Sequence, residues 1–332
     1  MAARFAPARQ RPALGQFHAS FAGVGTVIDV VGRGEANPGL AESLVRHAGA
    51  LERRCSRFLP NSEISALNTA ARSDGGWVRV SHETAELLRA ALSWAERTDG
   101  AFTPVIGALM ELWDVRTWLT RLSAEGESPP WPNEAHIAAA RARCRPELLE
   151  EGRANRFRLR RAAQIDLGGV AKGALADQLR EVARAGGLTD VLVSVGTSSL
   201  AAAGARSRGV PWRAGVRAVD QGRRAIVGSF DLVGTSLATS GDYLQRLPDL
   251  IEGRAVHHVI DPRTGEPSTS GVRSATVVAS DGITAEVAAT TLMVTGQLDR
   301  SIFQGCEWVW IGNDGELTSH AGSAWHPVAA QH

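Results

Sequence analysis

Four short stretches carry residue types at spacings that can do chemistry. The first is HHVIDPRTGEP (257–267), where His258, Asp261, Arg263 and Thr264 crowd around a proline and a glycine. A bare turn needs only the Pro and the Gly. Along an extended AVHHVID, His258 and Ile260 share one face and His257 takes the other. One imidazole can therefore enter a cleft while its neighbour is exposed or packed. Histidine is the side chain most easily poised as a base near neutral pH, so His258 is a candidate base. The plain alternative is a decorated hairpin with structural histidines.

The second stretch is IDLGGVAKG (165–173), read as strand, glycine pair and helix start. Gly168 and Gly169 let backbone approach a ligand, and a helix N-terminus favours an anion. Lys172 falls in the first helical turn, where it opposes the helix dipole; an arriving phosphate would account for it. A tight turn with an exposed lysine is the other reading. The third is TAEVAATTL (284–292), which puts Glu286 and Thr290 four apart on one helical face. A carboxylate and a hydroxyl so placed can ligate a hard cation such as Mg²⁺. Equally, a glutamate near a helix start is favoured by the dipole alone. The fourth, SLATSGDYLQR (236–246), offers small hydroxyl residues before Gly-Asp, suited either to a phosphate-touching turn or to a loop between strand and helix.

These stretches must be positioned by ordinary elements. Apolar residues at three- and four-residue intervals predict helices over 40–56, 82–97 (N-capped by Ser81), 171–185 (stopped by Gly186 and Gly187) and 283–296. Strands are predicted at 25–32, 164–167, 190–195, 213–219, 225–233, 255–261, 272–279 and 308–312. SAEGESPPWPNEA (123–135) reads as a surface loop or insertion. Strands outnumber helices and several follow one another directly. That predicts α+β with largely antiparallel sheets flanked by helices.

The totals bound the partners. The chain has 332 residues, 44% hydrophobic, with a net charge of +1. No long basic run occurs, which argues against nucleic acid or an anionic membrane as the main partner; the RLRR cluster (158–161) reads as a solvated strand edge. Cys55, Cys144 and Cys306 are widely spaced without a C-x-x-C, so reduced structural thiols are expected rather than zinc or a redox pair. No apolar window is long enough for a transmembrane helix, and the first residues lack a signal-like apolar run or a lipid-attachment cysteine. A cytoplasmic location is the expectation.

Each stretch alone is weak, but their order is specific. DLGGVAKG, VSVG, TSGDY, HHVIDPRTG and AEVAATTL, preceded by SRFLPNSEISALN (56–68) and TDGAFTPVIGALMELW (98–113), resemble the ApbE family of FAD:protein FMN transferases. The resemblance runs from about residue 21 to about 312, and H-x-I-D-P-x-T-G is its most specific part. It implies a single large ApbE-like, T-fold-related domain over 21–315, with tails at 1–20 and 316–332. It also implies Mg²⁺-dependent transfer of FMN from FAD to a Ser or Thr hydroxyl of an acceptor flavoprotein, releasing AMP. By the same resemblance the flavin site takes in Val24, Phe58, Ala101, Phe102, Thr103, Asp166, Lys172 and Ile260. The metal falls to the Gly169 carbonyl, Glu286 and Thr290; His258 is the base, and Asp261 orients the loop or the histidine. The chain departs from the family pattern at Val24 (usually Met), Thr103 (Asp), Val105 (Thr), GTSS at 196–199 (Gly-Gly-acid) and Glu286 (Asp). Two other readings fit the residues: an FAD-binding protein or pyrophosphatase giving FMN and AMP, and a non-catalytic family member.

Overall fold

The computed structural model describes residues 16–73, 75–125, 130–207, 209–219, 225–242, 245–247 and 256–328. The chain opens with β1 (Gln16–Gly23) and β2 (Thr26–Gly34), then α1 (Leu40–Cys55), α2 (Glu63–Arg72), β3 (Val78–Arg79) and α3 (His82–Arg97). Three helices follow, α4 (Gly107–Trp113), α5 (Val115–Glu125) and α6 (Glu134–Arg141), then β4 (Leu149–Glu151) and β5 (Arg156–Leu159). The centre is α7 (Ala171–Ala185), β6 (Leu188–Val195), β7 (Ser199–Ala203), β8 (Trp212–Arg217), β9 (Ile226–Leu232) and β10 (Ser236–Gly241). The rest is β11 (Ile260–Asp261), β12 (Glu266–Pro267), β13 (Val272–Ala279), α8 (Gly282–Thr295), β14 (Glu307–Gly312), β15 (Leu317–His320) and β16 (Trp325–Pro327).

An eight-stranded sheet in the order β1-β2-β6-β7-β10-β13-β14-β15 is antiparallel throughout. The main core joins this sheet to α1, α7 and α8 through Ile28, Leu44, Leu175, Val193, Val277 and Leu292. A three-stranded sheet, β16-β9-β8, brings Trp212, Phe230 and Leu232 against Ala202, Leu237 and Val309 of the large sheet. The α+β, largely antiparallel architecture is the one expected.

The helices form where periodicity and caps place them. The Ser81 hydroxyl accepts from the Thr84 amide at 3.3 Å, and α8 is capped by Asp281, which accepts from the Thr284 amide at 2.8 Å. Gly296, at φ 76, ends α8 in the left-handed conformation that glycine adopts freely. Most of α8 is buried, with apolar residues all round it, as expected of a helix enclosed by its neighbours. Glu286 is the one charged residue of that helix.

Several expectations need correction. Residues 164–167 are extended but form no strand. Their partner is the Asn68 side chain, whose Nδ2 donates to the Ile165 carbonyl (3.1 Å) and whose Oδ1 accepts from the Ile165 amide (2.7 Å). The Asp166 amide donates to the Pro104 carbonyl at 2.8 Å. SLATSG is the strand β10 rather than a loop. Its small residues allow α8 to lie against it, and Thr239 meets Thr276 of β13 at 2.9 Å between hydroxyls. The 255–261 strand shrinks to β11 and one bridge, Arg246 with His257; residue 255 lies outside the described residues.

The expected tails are only partly tails. β1 begins at Gln16 and alternates Ala19 and Phe21 into the core. β15 pairs with β14, and β16 pairs with β9. The remainder of both expected tails, 1–15 and 329–332, lies outside the described residues. In the predicted 123–135 loop, α6 starts within its last residues, capped by Asn133. Trp131 packs edge-on to Trp113 at 4.8 Å, and 126–129 lie outside the described residues.

Candidate active site

The site is built around the start of α7. Asp166 Oδ1 accepts from the Gly168 amide at 2.7 Å, which shapes the turn that launches the helix. Its other oxygen lies 2.8 Å from Arg57 Nε, a close charge contact in which the N–H is not aimed at the carboxylate. The same guanidinium covers the ring of Phe58 at 4.5 Å. Gly169 meets Phe102: a Cβ there would come within 3.0 Å of the ring. No side chain caps α7, so its first amides are unclaimed by a capping group. Such a terminus suits an anion.

Lys172, in the first turn of α7, reaches across to α8. Its Nζ donates to Ser198 Oγ (2.9 Å), Ser199 Oγ (3.2 Å) and Glu286 Oε1 (3.2 Å). Ser199 Oγ donates to the same Glu286 oxygen at 2.5 Å. Glu286 is 3% exposed, and a charge buried that deeply requires such partners. Two glycines bring the helices this close. A Cβ on Gly173 would stand 2.2 Å from the Gly282 carbonyl oxygen, and the reverse distance is also 2.2 Å. One turn beyond Glu286, Thr290 Oγ1 lies 3.4 Å from Ser240 Oγ of β10.

His258 is partly buried, and its Nδ1 has no hydrogen-bond partner among the described residues. Burial pushes its pKa down to about 4. The positive charge of Lys172 acts in the same direction, and the negative charge of Asp242 opposes it. The imidazole is therefore neutral at physiological pH and able to accept a proton. His257 is packed rather than exposed; its Nε2 lies 3.1 Å from the Ser268 carbonyl, and burial also lowers its pKa. Asp242, 1% exposed, pairs with Arg246 and, at 3.5 Å, with Arg273.

Asp261 works on its own loop. Its Oδ1 accepts from the Arg263 amide (2.9 Å) and Nε (3.0 Å), and its Oδ2 from Arg263 Nη2 (2.8 Å). The Asp261 carbonyl accepts from the Gly265 amide at 2.8 Å. These contacts fix the turn rather than the histidine. The helices before residue 142 brace it: Trp113 Nε1 donates to the Gly265 carbonyl at 2.8 Å, and Ile260 packs with Leu109 and Ile137.

The structure draws the expected residues into two groups. Lys172 and Glu286 meet where α7 and α8 cross, with Thr290 one turn on and His258 within charge range of Lys172, while Asp166, Gly169 and Phe102 surround the glycine turn. Ala101, Phe102, Thr103 and Ile260 are buried; the Thr103 hydroxyl accepts from the Val105 amide at 3.2 Å. Thr103 also lines a cleft of about 440 Å³ with Gly100, Arg141, Pro262 and Arg263. Val24 holds the β1–β2 turn at φ 46, and Phe58 is 71% exposed. Sequence reasoning missed the roles of Asn68, Arg57, Ser198, Ser199, Ser240 and Asp242. All lie within quoted stretches, but only three-dimensional packing gives them their partners.

With this geometry in place, comparison with known proteins is direct. A model of the ApbE family matches residues 24–303. The chain belongs to the ApbE family. It is 31% identical over 245 residues to an FAD:protein FMN transferase of Salmonella typhimurium, covering 73% of this chain and 67% of that protein. A Treponema pallidum FAD:protein FMN transferase is 30% identical over 282 residues, covering 79% of this chain and 74% of its own. The ApbE protein of Thermotoga maritima superposes with a TM-score of 0.77 at 26% identity, covering 92% of this chain and 96% of that one. The flavin transferase ApbE of Vibrio cholerae gives a TM-score of 0.75 at 26% identity, covering 96% and 98%.

The donor set at the α7–α8 junction suits a hard cation. A carboxylate (Glu286) and, one turn on, a hydroxyl (Thr290) are oxygen donors, which is the chemistry Mg²⁺ selects; the third expected donor, the Gly169 carbonyl, belongs to the glycine turn that precedes α7. Glu286 Oε1 is held by Lys172 and Ser199, while Oε2 takes no protein donor among the described residues.

Proposed function

We propose that this ApbE-family chain transfers FMN from FAD to a Ser or Thr hydroxyl of an acceptor protein, in a reaction that requires Mg²⁺. The hydroxyl oxygen attacks the flavin-side phosphorus of FAD. The bond from that phosphorus to the bridging oxygen breaks, AMP leaves with the bridging oxygen, and FMN becomes esterified to the acceptor. The observation that carries this reading is a neutral, partly buried His258 within charge range of Lys172, beside an uncapped helix start, in a chain of this family.

Each residue has a part that follows from its surroundings. The start of α7 and its glycine turn bind the diphosphate through backbone amides and the helix dipole. Lys172 adds a positive charge beside them. Glu286, Thr290 and the Gly169 carbonyl would hold Mg²⁺, which when bound neutralises diphosphate charge and stabilises charge that develops in transfer. The imidazole of His258 takes the proton of the incoming hydroxyl. Asp261 keeps the 261–265 turn in shape through Arg263. Val24, Phe58, Ala101, Phe102, Thr103, Asp166 and Ile260 complete the flavin surroundings, Asp166 by shaping the glycine turn.

The reading is tested by incubating the protein with FAD, Mg²⁺ and a flavin-acceptor domain validated with another transferase. Mass spectrometry of the acceptor and chromatography of the nucleotides give the result. Acceptor carrying FMN on a Ser or Thr, with one AMP formed per label, is the expected outcome. FMN and AMP formed in equal amounts with unlabelled acceptor would instead make the protein a pyrophosphatase.

A further inference from the structure

The contacts of Ser199 go beyond the assignments above. Its side chain is fully buried at the start of β7, yet its hydroxyl is aimed at an ion pair rather than at the core. It donates to Glu286 Oε1 at 2.5 Å and accepts from Lys172 at 3.2 Å. Lys172 in turn matches its three ammonium donors to three acceptors, Ser198, Ser199 and Glu286. The network closes on one oxygen of one carboxylate.

A glutamate needs this support. It carries one methylene more than an aspartate, which displaces its carboxylate by roughly 1.5 Å and adds one more staggered torsion. On a buried helix such a side chain has several rotamers to choose among. Fixing Oε1 from one side selects a single rotamer and leaves Oε2 as the oxygen without a protein donor.

We propose that Ser199 is the positioning residue that lets Glu286 serve as a cation ligand: it pins Oε1, with Lys172, so that Oε2 is held ready for the metal. The inference rests on the metal role of Glu286 given under the proposed function, and its test separates the two. Outer partners of metal ligands typically change metal affinity ten- to a hundredfold. Ser199→Ala should raise the half-saturating Mg²⁺ concentration roughly tenfold, while kcat at saturating Mg²⁺ stays within about threefold. The same shift should appear without turnover, as a displaced Mg²⁺ dependence of the thermal midpoint of the FAD-free protein. Ser198→Ala, which removes contacts to Lys172 (2.9 Å) and to Ser199 Oγ (3.4 Å) but none to Glu286, should move the Mg²⁺ dependence much less.

If Ser199→Ala proves too unstable to purify, Ser199→Cys gives a nearly isosteric, weaker donor and should shift the Mg²⁺ dependence in the same direction. A Ser199 variant with a lowered thermal midpoint but an unchanged Mg²⁺ dependence, while Glu286→Gln loses it, overturns the role of Ser199 alone. An unchanged Mg²⁺ dependence in Glu286→Gln overturns the inference together with the metal assignment beneath it.

Discussion

His258 shows how a residue identified by type becomes informative only with its environment. A free histidine titrates near 6.5, whereas burial holds this one down to about 4. Its contribution to stability is therefore fully present above about pH 6.5. It is lost as pH falls toward about 4, because the unfolded chain takes up a proton that the folded site refuses. That loss amounts to at most about 3 kcal/mol. Urea unfolding at a series of pH values should show stability declining through this window, with a shallower decline in His258→Gln. The decline will not vanish, because burial lowers His257 in the same direction. As a base, His258 should stay competent at neutral pH, so the kcat/KM profile should have no inflection near 6.5 that disappears with His258. The sequence singled out this histidine through H-x-I-D-P-x-T-G, and the structure supplies its surroundings. It left His257 open between exposed and packed, since alternation along a strand says nothing about what covers the second face; the structure packs it.

Elements with strong internal signals were legible almost to the residue. Both α3 and α7 follow their apolar stripes, with stops at the expected positions. Two segments were not legible, for different reasons. SLATSG lacks the bulky β-branched run that marks a central strand, because α8 lies against it. QIDL alternates polar and apolar residues as a strand does, but its partner is an asparagine side chain, which no local pattern announces. The α7–α8 crossing was equally hidden, since it depends on two glycines 109 positions apart (282 − 173). Gly173→Ala puts a methyl 2.2 Å from the Gly282 carbonyl oxygen, and the backbone cannot yield there without separating the helices. Overpacking of this kind costs about 1–3 kcal/mol. The variant should unfold at lower urea, and it should also lose activity, because Lys172 and Glu286 sit on the two helices that part.

At the scale of the whole molecule, two sheets enclose a second core, and β16, the last of the described strands, helps to close it. Trp325 packs on Phe230 with ring centroids 4.8 Å apart, over Gly228, where any Cβ would strike the indole. Trp325→Ala should cost roughly 2 kcal/mol, less than for a fully buried tryptophan because this one is partly exposed. Its effect should appear in thermal unfolding and leave Mg²⁺ dependence unchanged, since the second core lies away from the α7–α8 junction. Cys55, Cys144 and Cys306 are all free and buried, and burial pushes each thiol up to about 11. They should therefore react slowly with thiol reagents until the protein unfolds. Among the described residues, no helix is long and apolar enough to cross a membrane. The fold class was readable from the sequence because strands followed one another directly. The order of those strands was not, because it is set by contacts far apart in the chain.

The most direct test of the account joins these scales in one assay. Wild type and His258→Ala are incubated with FAD, an acceptor domain and Mg²⁺ or EDTA, and covalent flavin is read by in-gel fluorescence after denaturation. The account predicts Mg²⁺-dependent acceptor labelling by the wild type, reduced about 10²- to 10⁴-fold in a folded His258→Ala protein. Labelling that survives intact in His258→Ala would contradict the base assignment, and no labelling by the wild type would contradict the transferase reading itself.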